Sequence, residues 1–168
     1  MKENFITLGK NNVLRLGIKT EDGIDTGEFL EFDLEDIELP LKYQELYEKE
    51  KKNREFLRNQ FLIIDKKQDT KTKGFLTRNQ MEKFKVLNEF FKKEAEIYNG
   101  FLGENGVQKL LNGQKLGWSS LDTIDKIIEE QIAPHINITM EDISNKVKEK
   151  YKDAIERNNT LKLNKENE

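Results

Sequence analysis

The side chains that could do chemistry are few and scattered. His135 is the single histidine and follows Pro134. A general base needs a nucleophile and an orienting carboxylate close in space, and no spacing pattern around His135 supplies them. It reads as a loop or helix-end histidine. Gly100, Gly103, Gly106 and Gly113, with Lys109 and Lys115 nearby, invite comparison with phosphate-binding loops. Their spacing is neither G-x-G-x-x-G nor a Walker A, and a predicted helix, not a strand, precedes them. They read as punctuation between short helices. Acidic residues gather at Glu31, Asp33, Glu35 and Asp36 and again at Glu129 and Glu130. The stretch from Glu21 to Glu31 contains Asp22, Gly23, Asp25 and Gly27 but lacks the ligand spacing of an EF-hand. Solvated faces and turns account for it. The absence of cysteine removes disulfides, thiolate catalysis and sulfur-ligated zinc. No catalytic residue, cofactor-binding residue or metal ligand is assigned, and a non-enzymatic role is expected.

The composition narrows the partners. The chain has 168 residues, 36% charged and 35% hydrophobic, which fits one domain at the polar edge of the globular range. Lys plus Arg number 29 against 32 Asp plus Glu, a net charge of −3. That balance speaks against a dedicated nucleic-acid binder, whose affinity comes largely from neutralising phosphates. It also speaks against a polybasic membrane anchor. No apolar run approaches the roughly 20 residues of a bilayer span. Met1-Lys2-Glu3-Asn4-Phe5 carries no signal-peptide core, so a cytoplasmic location is expected. The run Thr139-Met140-Glu141-Asp142-Ile143 could open a helix-turn-helix, but the joining loop lacks the usual glycine turn. Lys146, Lys148, Lys150 and Lys152 are interleaved with Glu149 and Asp153, as on a solvated helix face.

The elements that must position these residues change character near Pro40. Residues 1–36 read as β-rich. Phe5-Ile6-Thr7-Leu8 is a short apolar run ended by Gly9. Leu14, Leu16 and Ile18 alternate with polar or small residues, as do Leu30, Phe32 and Leu34. Period two marks half-buried strands, and Glu21-Asp22-Gly23 and Gly27 read as turns, giving a hairpin or small meander. Two strands alone are marginal in water, so something must cover them. Residues 40–158 read as four to five helices. Pro40 suits a first helical turn. Tyr43, Leu46 and Tyr47 begin an apolar stripe that Leu57, Phe61 and Ile64 resume. Between them, Glu48 to Glu55 reads as an exposed mixed-charge middle. Residues 65–74 form a loop. Thr77 and Gln80 make a capping box for a helix ending at Asn99-Gly100, whose stripe is Met81, Phe84, Leu87, Phe91, Ala95 and Tyr98, widened by Phe90 and Ile97. This is expected to be the central core helix, with Phe91 inside. A short helix lies between the later glycines. Ser119 or Ser120 caps the next, with Leu121, Ile124 and Ile128 facing inward, Ile127 and Ile132 alongside, and Pro134 stopping it. Thr139 starts the last, and 159–168 reads as a flexible polar tail. The fold class is therefore α+β, mostly α.

The segment between Gly103 and Gly113 is a candidate interaction surface. Glycine tolerates the positive φ that helix ends demand, so the chain can turn on both sides of Val107, Leu110 and Leu111. Trp118, just before a helix start, reads either as a staple packed on that helix or as an anchor for a partner.

The run from Phe84 to Ile132 resembles a family of small tail assembly chaperones of long-tailed phages and prophages of Gram-positive bacteria. The aromatic-rich Asn88-Glu89-Phe90-Phe91 leads into Phe101-Leu102-Gly103-Glu104-Asn105-Gly106, which resembles the family's F-G-E-G-like knuckle. Leu110-Leu111-Asn112-Gly113 resembles its apolar pair closed by glycine, and an Ile-faced helix follows in both. Upstream, Phe32-Asp33-Leu34 followed by Tyr43-Gln44-Glu45-Leu46-Tyr47 resembles the family's entry of strand, acidic turn and tyrosine helix. Residues 1–27 add material, and Asn105 lengthens the knuckle by one residue. The resemblance implies a protein that coats the tape-measure protein during tail assembly and leaves before the virion matures. It implies the tape-measure protein as partner, the major tail protein as a second candidate, and self-association of copies. Three other classes compete: a structural virion component such as a tail-tube or connector protein, a small DNA-binding regulator and, furthest off, a hydrolase. The first would persist in purified particles, and the second would lose affinity steeply with salt.

Overall fold

In the computed structural model, residues 12–165 are described, so the apolar run at 5–8 lies outside the described residues. Strands β1 (Val13–Lys19) and β2 (Asp25–Asp33) form an antiparallel hairpin, with Leu14 opposite Phe32 and Leu16 opposite Leu30. Its turn is Thr20–Ile24, closed by the Gly23 amide on the Thr20 carbonyl at 2.9 Å. Gly27 is not a second turn. It sits inside β2 at φ 75°, where the register slips opposite Gly17–Lys19. The Thr26 hydroxyl donates to the Ile18 carbonyl there at 2.8 Å, so the residue forms part of a bulge. The alternation expected of the strands puts Ile18, Leu30 and Phe32 inside, with Leu34 just beyond β2.

Helix α1 (Leu39–Asp65) and helix α2 (Arg78–Leu102) form a long antiparallel hairpin. Pro40 lies in the first turn of α1, as its missing N–H allows. The connecting loop is tied down. Asn79 donates its side-chain amide to the carbonyls of Ile64 and Lys67 at 3.1 and 3.0 Å, and its own backbone N–H donates to Asp69 at 3.0 Å. The Thr77–Gln80 capping box forms in both directions. Helix α2 runs past Asn99-Gly100 to Leu102, and Gly103 ends it at φ 93°.

Helices α3 (Gly106–Leu110) and α4 (Trp118–Ile127) follow. Neither Ser119 nor Ser120 is the N-cap of α4. Gly117 holds that place, and Ser120 accepts its N–H from inside the first turn at 2.8 Å. Pro134 does not stop the helix, and Thr139 does not start another. A π-helical turn (Ile128–Ile132) joins α4 directly to α5 (Ala133–Lys165), with the Ala133 amide bonded to the Ile128 carbonyl. Proline lacks an N–H and crowds the carbonyl four residues back, here Glu130, and the wider turn accommodates both defects. The same turn keeps an isoleucine row in line. Residues four apart drift about 40° per step on a regular helix. With the π turn between them, Ile124, Ile128, Ile132 and Ile136 all stay buried. Thr139 lies within α5 and donates its hydroxyl to the His135 carbonyl. Helix α5 also passes Asn158, where the helical reading ended.

These elements make an α+β fold, mostly α, with the hairpin covered by the helices. The Phe101 ring lies 5.6 Å from those of both Phe32 and Tyr43, centroid to centroid, which joins the sheet to α1 and α2. The core face of α2 is Phe90, Ile97, Tyr98, Phe101 and Leu102, rotated from the expected stripe. Met81 and Phe84 are exposed, because the outer half of the α1–α2 hairpin extends beyond the other elements. Phe91 is half-buried rather than inside. Phe90→Ala should therefore destabilise the protein by about 3–5 kcal/mol, and Phe91→Ala by clearly less. Urea unfolding of both variants checks this, and equal losses would contradict the assigned core face.

Candidate functional site

A polar layer with a buried centre lies where α1, α2 and α4 meet: Glu50, Asn53, Glu94 and Tyr98 are buried, Asp125 is half-buried and Arg54 is exposed at the rim. It is built from Glu50, Asn53 and Arg54 of α1, Glu94 and Tyr98 of α2, and Asp125 of α4. The mixed-charge stretch from Glu48 to Glu55 is thus not wholly exposed. Glu50 and Asn53 follow Leu46 at steps of four and three and continue its inward stripe; both are buried. Glu94 stands four residues after Phe90 and is fully buried. That spacing was the available signal, masked by the charge of the residues.

The layer is hydrogen-bonded across all three helices. Asn53 donates to Glu94 Oε1 at 2.7 Å and to the Phe90 carbonyl at 3.3 Å. Tyr98 donates to Asp125 Oδ1 at 2.5 Å, and Arg54 donates to Asp125 Oδ2 at 3.3 Å and pairs with Glu50. Burial, more than any neighbour, pushes the Glu94 carboxyl up to about 7, with the charges of Glu50 and Asp125 acting the same way. Glu50 is raised by burial and by Asp125, against the pull of Arg54. Burial and its bond to Asp125 hold the Tyr98 phenol well above its ordinary value. Glu94 Oε2 has no hydrogen-bond partner among the described residues.

Beside this layer lies a groove of about 450 Å³ between α1 and α4, lined by Leu46, Tyr47, Glu50, Arg54, Asp125 and Ile128 among others. Among the described residues no group of three or more His, Asp or Glu side chains is placed to hold a metal ion. His135 is exposed near the start of α5. The arrangement joins helices.

The glycine-rich segment is a knuckle. The Val107 amide donates to Asn99 Oδ1 at 2.9 Å, which ties α3 to the end of α2. Gly106 is buried so tightly that a Cβ there would lie 2.5 Å from the Leu102 Cβ. The four candidate interaction residues fall in different settings. Val107 is core, packed out of reach of a partner by the closeness of α3 to α2. Leu110 and Leu111 are half-buried and line a groove shared with β1 and α4. Trp118 is 56% exposed and lays its ring on Phe90 and Phe91, at centroid distances of 5.4 and 5.0 Å.

A larger uncovered surface lies on α5. Met140, Ile143, Val147 and Tyr151 continue the helical spacing of the buried Ile132 and Ile136, yet each is 37–51% exposed. Among the described residues no helix is long and apolar enough to cross a membrane. Compared with known proteins, the chain matches no family model, no curated protein and no solved structure.

The raised Glu94 value has a consequence for stability. An unfolded glutamate titrates near 4.5, so between there and about 7 the folded chain binds the extra proton. Stability is therefore fullest below pH 4.5 as far as this group is concerned, and its contribution is lost as pH rises through 7. The urea midpoint should fall from about pH 5 to pH 8, and Glu94→Gln should flatten that fall. An identical slope in both proteins would contradict the assignment.

Proposed function

We propose that this chain is a non-enzymatic tail assembly chaperone that binds the tape-measure protein in the host cytoplasm while a phage tail is built. The observation that carries the reading is the uncovered apolar stripe of α5, Met140, Ile143, Val147 and Tyr151. A helix that leaves the core with its apolar face bare is suited to pair with another helix. The resemblance of Phe84–Ile132 to the chaperone family supplies the identity of the partner, with the major tail protein as a second one. The mixed-sign surface suits a protein that must stay soluble while it holds an aggregation-prone client. Self-association of copies belongs to the same proposal, through a surface other than the α5 stripe.

Co-expression of the chain with the long helical protein that this reading expects to be encoded immediately downstream tests the reading. The two should copurify, and the chain should be missing from purified virions. His135→Ala should leave capture and tail formation unchanged. A chain that stays in mature particles would instead be a structural tail component.

A further inference from the structure

We propose that the exposed face of α5 from Met140 to Tyr151 is a docking site for an amphipathic helix with acidic edges, and that its lysines select this partner over a second copy of the chain. The argument starts from angular position. At about 100° per residue, Met140, Ile143 and Tyr151 lie within about 40° of Val147 around the helix. The three charged groups nearest that stripe are all lysines. Lys150 lies about 60° from Val147 on one side, Lys146 about 100° on the same side, and Lys148 about 100° on the other. Glu141, Asp142 and Glu149 stand about 120° or more away, toward the back of the helix. All of these residues are exposed. The local charge balance hides this, because the nearest charges are lysines, while Lys152 lies with the acids about 140° away.

Such a stripe attracts an apolar helix face and judges it by its edges. Opposite charges flanking a helix seam favour pairing, and like charges oppose it. Glu or Asp beside the partner's seam would meet Lys146, Lys148 and Lys150. A second copy would bring lysines to lysines. In a parallel pair with Met140, Ile143 and Val147 in the seam, Lys150 would occupy the next seam position and face its twin. The stripe is thus attractive to one class of helix and repulsive to its own. The body of the fold is not needed for the contact, since the stripe begins one turn beyond Ile136, the last residue of α5 buried among the described ones.

This inference rests on the reading that the chain captures a partner helix, and it can fail separately. Two labelled synthetic peptides share one Leu/Ile seam, the first edged by Glu and the second by Lys. Fluorescence anisotropy with the full chain should show the Glu-edged peptide binding at least about tenfold more tightly, with affinity falling as salt rises. Val147→Asp should abolish binding without moving the thermal unfolding midpoint. The triple change Lys146→Glu, Lys148→Glu and Lys150→Glu should reverse the preference, a result that simple unfolding cannot give. Equal binding of both peptides, binding of neither, or self-association lost in Val147→Asp on sedimentation would each overturn the proposal. If neither peptide binds but the tape-measure protein still copurifies, the chaperone reading stands and α5 is not its surface. If the peptides behave as expected and the tape-measure protein does not copurify, the docking face stands and the chaperone reading fails.

Discussion

The fold depends on the contact between Asn53 and Glu94 at the centre of the helical hairpin. Two long antiparallel helices with apolar seams can slide by a turn and still bury leucines. A polar pair in the seam penalises such slippage, because each misaligned partner would be buried without a hydrogen bond. Asn53 bonds both the Glu94 carboxyl and the Phe90 carbonyl, so it reads side chain and backbone of α2 together. Glu50, Arg54, Tyr98 and Asp125 extend that specification to α4. Once α4 is placed, its direct continuation through the π turn aims α5.

A buried layer of this kind does not maximise stability. A carboxyl that burial pushes up to about 7 marks a desolvation cost that an apolar residue would not incur. What the layer provides is one arrangement of three helices. The aromatic group of Phe32, Tyr43 and Phe101 then closes the β-hairpin over the base of α1 and α2. At the opposite end the α1–α2 hairpin extends alone, secured by Asn79 and by the ion pairs Lys67–Glu82 and Lys83–Asp65.

Much of this was legible in residue periodicity. Alternation at Leu14, Leu16 and Ile18 and at Leu30, Phe32 and Leu34 marked the hairpin. The Thr77–Gln80 box marked the start of α2. The features that escaped share a physical cause: local chemistry pointed one way and tertiary context the other. Glu50 and Asn53 sit in a charged run, and only their spacing from Leu46 shows them facing inward. Pro134 signals a stop, but an adjacent π turn lets the helix pass, and the four-residue isoleucine spacing was the trace it left. Phe91 has the right spacing for the core, yet Phe90 is the fully buried ring, on the side that meets Asn53 of α1, while Phe91 lies half-buried against Trp118. For the candidate surface, spacing located apolar residues without showing which were covered. Val107 is enclosed while the stripe of α5 is open, and that difference arises from where neighbouring elements end.

The central claim is that Asn53 and Glu94 act as one unit that aligns α1 with α2. A double-mutant cycle with Asn53→Ala, Glu94→Ala and the combined variant, measured by urea unfolding below pH 6 where the Glu94 carboxyl is neutral, tests it most directly. The account predicts that the two losses are not additive, with a coupling of about 1 kcal/mol or more. Losses that add to within about 0.3 kcal/mol would show two independent residues and contradict the account.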